Sequence, residues 1–125
     1  MSETTEVQWG ALASLPKFSV IPGIAMQLMA GKHIAINLVT LDPNATVPDH
    51  SHVNEQAGYV VSGLINMTIA GETRPIGPGE SYIIPPDVPH GATTGPQGCE
   101  VIDIFSPPRA DYVELARKAA TDSSI

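Results

Sequence analysis

His50-Ser51-His52-Val53-Asn54-Glu55-Gln56, followed much later by His90, is a three-histidine, one-glutamine ligand set written in the period of a strand. Alternate residues of a strand share a face, so His50 and His52 can aim at one ion, and Gln56 keeps their parity while Glu55 does not. A straight strand cannot complete the site. At roughly 3.3 Å per residue Gln56 would lie more than about 10 Å beyond His52, so the chain must turn near Val53-Asn54. His90 has to arrive from a distant strand, which calls for a closed β architecture.

Three neutral imidazoles and an amide oxygen leave a divalent ion with its full formal charge, a stronger Lewis acid than one bound by a carboxylate. One divalent transition metal ion is expected. Imidazole suits Zn, Ni, Fe or Cu and the oxygen ligand admits Mn, so the residues do not select among them. His33 lies outside the pattern and reads as structural or surface.

The remaining chain supports many short strands joined by tight turns. It has 125 residues, enough for one domain (1–125), with 11 glycines, 12 prolines and few aromatics. Residues 1–6 read as a flexible polar tail, with Trp9, Leu12 and Leu15 as the first candidates for packing. Strands are expected over 24–30 and 32–41. Gln56 to Ser62 and Leu64 to Ala70 read as a hairpin closed at Gly63, where Ile65, Met67 and Ile69 alternate with polar residues. Strands are also expected over 73–76 and 80–84. The prolines before His90 stiffen its support. After a turn over Gly95 to Gly98, Glu100 to Phe105 reads as a late strand, giving a β core over 25–105. A short helix over 110–120 follows, its Asp111 and Glu114 near the start and its Arg117 and Lys118 near the end suiting the helix dipole.

A formal charge of −7 argues against nucleic acid and an acidic membrane surface as partners. No apolar run is long enough to span a membrane, and no secretory signal opens the sequence. The lone Cys99 has no internal disulfide partner, which points to a reducing, cytoplasmic compartment.

The ligand pattern resembles the cupin superfamily. His50, His52, Gln56 and Gly63 match its first motif, and Gly79, Pro85 and His90 its second. Asp87 and Thr94 stand where the family often has Gly and Asn, and neither position is a ligand in the family pattern. The resemblance implies an all-β, single-domain cupin, a double-stranded β-helix or jelly-roll barrel with a short C-terminal helix. A homodimer is also implied, formed through strand addition by the apolar stretch around Ile21 to Met29.

A second resemblance covers about Pro48 to Tyr112. Glu55-Gln56, Tyr59-Val60-Val61-Ser62-Gly63, Ile84-Pro85-Pro86-Asp87-Val88-Pro89-His90-Gly91-Ala92 and Ile102-Asp103-Ile104-Phe105-Ser106-Pro107-Pro108-Arg109-Ala110-Asp111-Tyr112 look like the pectin degradation family of small cupins. Those enzymes open the ring of C4–C5 unsaturated uronates to the linear keto acid. Carried over by position, the family's pocket residues are Asp103, Phe105 and Arg109: a proton carrier, an apolar wall for the sugar ring and a fork for the carboxylate of a small anionic substrate. Duller roles exist for each: a partner orienting a histidine, ordinary core, and an ion pair with Asp111. Tyr82 is a further candidate proton donor. Val53-Asn54 replaces the Pro-His common in related sequences, which bears on the pocket rim. A metal-dependent dioxygenase and a non-catalytic small-molecule-binding module are the alternative functions.

Overall fold

The computed structural model of the chain describes residues 6–123, so the expected tail lies outside the described residues except for Glu6. Seven strands form: β1 (Ile24–Ala30), β2 (Ala35–Leu41), β3 (Thr46–His50), β4 (Glu55–Ile69), β5 (Glu72–Ile76), β6 (Ser81–Ile84) and β7 (His90–Ser106). A helix, α1 (Ala110–Ser123), closes the chain.

Two expected breaks are not turns. Gly63 does not close a hairpin, and the Gly95 to Gly98 segment does not separate two strands; β4 and β7 each run through as one long strand. What changes at these points is side-chain parity. In β4 the buried residues are Gln56, Gly58 and Val60 before Gly63 and Ile65 and Met67 after it. In β7 they are His90, Ala92 and Thr94 before the glycines, and Cys99, Val101 and Phe105 after them. The β4–β7 register shifts between Val60 and Ser62 and again between Gly63 and Ile65, which identifies bulges rather than a turn. Gly63 has φ +76°, and a Cβ there would stand 2.2 Å from the Gly98 carbonyl oxygen, so only glycine lets the two strands cross this closely. The real hairpin comes at Ala70-Gly71, where both residues have positive φ (52° and 83°) and Ile69 pairs with Glu72.

All seven strands belong to one hydrogen-bonded sheet, in which the two halves of each long strand take different partners. The early half of β4 pairs with β6 and with the late half of β7, which carries β2 and then β1 beside it. The late half of β4 pairs with β5 and with the early half of β7, which carries β3. One core fills the space between, built from Val39, Leu41, Val60, Ile65, Met67, Ile84, Val101 and Phe105. This is the jelly-roll arrangement expected from the sequence.

The N-terminal segment straps onto β1. Gln27 Nε2 donates to the carbonyls of Ala13 and Leu15, Gln8 Nε2 donates to that of Ala30, and Phe18 bridges to Met26. Leu12 and Leu15 are half-buried, but Trp9 is 91% exposed, against the expectation that it packs; the strap is held by polar side chains and Phe18 instead. The helix runs past its expected end to Ser123, so Arg117 and Lys118 fall mid-helix rather than in the last turn. Arg117 pairs with Glu114 one turn back.

Candidate metal centre and pocket

β3 ends at His50, which sits opposite His90, the first residue of β7. The chain then bends at Val53-Asn54 and enters β4 with Glu55 exposed and Gln56 buried. The loop is pinned from outside: Asp87 N–H donates to the His52 carbonyl at 2.8 Å, and Asn54 Nδ2 donates to that of Pro107 at 2.7 Å. Asp87 has φ +64°, a left-handed conformation that Asp tolerates and that glycine, expected here from the family pattern, adopts without strain.

Each imidazole is held the same way. The Nδ1 atoms of His50, His52 and His90 lie 2.9 Å from the carbonyls of Pro48, Asn54 and Val88, so Nδ1–H donates in all three and each Nε2 is left as a lone-pair ligand. The ligand atoms lie within 4.8 Å of one another. His52 Nε2 is also 3.2 Å from Gln56 Oε1, which brings the amide oxygen to the same point. Burial keeps His52 and His90 below the usual imidazole range, aided by the charges of Arg109 and their fellow histidines, so both favour the neutral form a metal needs. His90 Nε2 is buried with no hydrogen-bond partner. An orphaned nitrogen beside two like it and an amide oxygen fits a divalent ion.

The amide of Gln56 faces two ways. Its oxygen turns to the histidines, and its hydrogen bond to Asp103 joins the cluster to a carboxylate. Asp103 also accepts from Tyr82 Oη at 3.0 Å. The residue is half-buried and lines the cavity, and desolvation of its carboxyl pushes it up to about 6 against the downward pull of the Tyr82 and Gln56 hydrogen bonds. Tyr82 is raised as well, by burial first and by Asp103 next. The phenol reaches Asp103 by lying over Gly58, where a Cβ would stand 2.1 Å from Tyr82 Cζ.

A cavity of about 320 Å³ opens inside the fold, lined by His50, His90, Gln56, Asp103, Phe105 and Arg109 among others. Phe105 lies edge-on to His52, ring centroids 5.7 Å apart. Arg109 does pair with Asp111, at 3.0 Å, and donates to Tyr112 Oη at 3.0 Å. Its guanidinium lies 3.9 Å from the centre of the Tyr112 ring, so stacking holds it while other N–H groups remain for a ligand.

The sequence profile of the cupin domain matches residues 37–105, more than half of the chain. The chain belongs to the cupin family. This cupin is similar to the pectin degradation protein KdgF of Dickeya dadantii, 35% identical over 65 residues, which are 51% of this chain and 59% of that protein. It is 49% identical over 51 residues to the H2HPP isomerase of Bacillus subtilis, 40% of this chain and 22% of that one. The matched stretches thus span less than two thirds of these two relatives. The solved structure of KdgF from Halomonas sp. superposes with a TM-score of 0.80 at 29% identity, covering 86% of this cupin and 99% of that chain.

Three residues that shape the site of this cupin carry no signal strong enough to be singled out in the sequence. Gly58 is one glycine among many until Tyr82 is seen above it. Tyr112 lies within the segment resembling pectin degradation cupins, but its hold on Arg109 depends on the turn into α1. Asn37 sits among apolar strand residues, and only its inward placement reveals it.

Proposed function

We propose that this cupin is a metal-dependent enzyme that opens a C4–C5 unsaturated uronate to the linear keto acid. The observation that carries the reading is a half-buried carboxylate, Asp103, joined through Gln56 to a three-histidine cluster in the cavity that Arg109 lines. The likeness to two proteins named KdgF, one of them a pectin degradation protein, supplies the substrate class.

His50, His52, His90 and Gln56 would hold the ion. Once bound, a divalent cation supplies Lewis-acid charge that favours electron-rich substrate oxygens. The free N–H groups of Arg109 receive the uronate carboxylate, and the ring lies against Phe105. Asp103 takes the proton of the ring hydroxyl at the anomeric carbon as the ring C–O bond breaks. The same carboxyl then delivers that proton to C4 as the released enolate becomes the ketone. Every atom of the substrate is kept, so the reaction is an isomerisation. Tyr82 steadies Asp103 through its 3.0 Å hydrogen bond and keeps the carboxyl aimed while the proton is carried. The name of the Bacillus relative, an isomerase, favours proton transfer over oxygen chemistry.

The test follows loss of ultraviolet absorbance by C4–C5 unsaturated galacturonate. Catalysed loss that a chelator abolishes is expected, without oxygen consumption. Asp103→Asn should lower kcat by about 10²–10⁴-fold with metal content unchanged. Arg109→Ala should raise KM by about tenfold or more. No acceleration by metal-loaded protein would sink the assignment, and oxygen uptake would replace it with a dioxygenase.

A further inference from the structure

Asn37 is fully buried, and neither its Oδ1 nor its Nδ2 has a hydrogen-bond partner. It sits mid-strand in β2, on the inward face it shares with the buried Ala35, Val39 and Leu41. An apolar residue of this size would satisfy packing there at no polar cost. A structural asparagine, by contrast, fixes a turn or ties two elements together, as Asn54 does here. Asn37 ties nothing.

Its position is next to the chemistry. Asn37 pairs in register with Asp103 across the β2–β7 ladder, and both line the same cavity. Same-face cross-strand neighbours stand about 5 Å apart at Cβ. Even so, Asn37 makes no bond to that carboxylate, which is engaged by Tyr82 and Gln56. A buried amide with a free donor pair and a free acceptor, on a residue that lines the cavity beside Asp103, matches a group that both donates and accepts. Among small organic acids that group is a hydroxyl.

We infer that Asn37 is a substrate-binding residue that reads a ring hydroxyl, and that it makes this cupin select polyhydroxylated acids over acids of the same size without hydroxyls. The inference deepens the uronate reading and rests on it for the substrate class. The selection comes from the cost of leaving Asn37 unpaired when the ligand brings no hydroxyl, a penalty that a purely apolar wall does not impose.

The experiment compares wild type with Asn37→Leu, both metal-loaded, by thermal shift with galacturonate and with cyclohexanecarboxylate, and by turnover of unsaturated galacturonate. Wild type is expected to bind galacturonate at least about tenfold more tightly than the hydroxyl-free acid. In Asn37→Leu that preference should vanish, cyclohexanecarboxylate binding should persist, and the ligand-free melting temperature should hold or rise, since an unpaired amide has been removed. Should the leucine variant not fold, Asn37→Thr keeps a shorter donor and acceptor and is expected to cut the preference several-fold. A preference unchanged in either folded variant overturns the inference, as does a wild type with no preference. Absence of turnover, with the preference present in wild type and lost in the variant, would overturn the uronate reaction alone.

Discussion

Gly58 shows how a residue without a side chain can shape the surroundings of a cavity carboxylate. Tyr82 occupies the space its Cβ would need, and the phenol thereby reaches Asp103. Gly58→Ala is expected to push the ring aside and cost about 1–3 kcal/mol in urea denaturation, as overpacking does. Tyr82→Phe removes only the hydroxyl. It should leave stability within about 1.5 kcal/mol while lowering kcat in the ultraviolet assay. If both variants lose stability equally, the hydroxyl matters to the fold more than to the carboxylate. Cys99 offers a second test at this scale. It is 5% exposed, and burial first, then Asp103 and Glu100, push its thiol up to about 11. The folded state favours the neutral thiol, so stability is kept below the unfolded thiol's range, near pH 8.5, and lost as pH climbs toward 11. Alkylation by iodoacetamide at pH 8 should be slow in the native protein and jump to the free-thiol rate in urea. Fast native labelling would contradict the burial.

Among the elements, side-chain staples fix the loops that deliver the site. Thr94 is one such staple, buried in the early half of β7. Its Oγ1 accepts from Ala45 N–H at 2.8 Å and donates to the Asp42 carbonyl at 2.7 Å, tying the turn before β3 to β7. Thr94→Val keeps the shape and orphans both groups, at an expected cost of about 1–3 kcal/mol by chemical denaturation. Asn54 performs a similar service between the metal loop and the exit of β7 through its bond to Pro107. Loss of that bond in Asn54→Ala should loosen Gln56 and Arg109 together. Weaker metal retention on dialysis and a higher KM in the same variant would register it; a change in one alone would show that the two segments are independent.

For the whole molecule, a bound ion would cross-link β3, the loop after it, β4 and β7, which carry the four ligand residues. An ion held only by the folded state raises stability by mass action, about 2.7 kcal/mol at one hundred times the dissociation constant. Chelation should therefore lower the melting temperature of the purified protein, and adding back a divalent ion should restore it. His90→Ala should abolish the metal-dependent shift. A shift that survives in that variant would place the ion elsewhere.

The sequence by itself determined in outline that the three histidines and Gln56 would be brought together. The parity of His50, His52 and Gln56, with the bend at Val53-Asn54, follows from strand period and reach, which are local properties of the backbone. The placement of β1 and β5 was legible on the same ground. Tertiary structure decided what depends on residues far apart in the chain. A glycine between two alternating runs reads alike whether it turns the strand or bulges it; Gly63 bulges because Gly98 lies across from it. Asn37 and Gly58 gain meaning only when β2 and β6 bring them to Asp103 and Tyr82. Trp9 looked like core by composition, but burial is settled by which surface the strap happens to meet, and no local pattern encodes that.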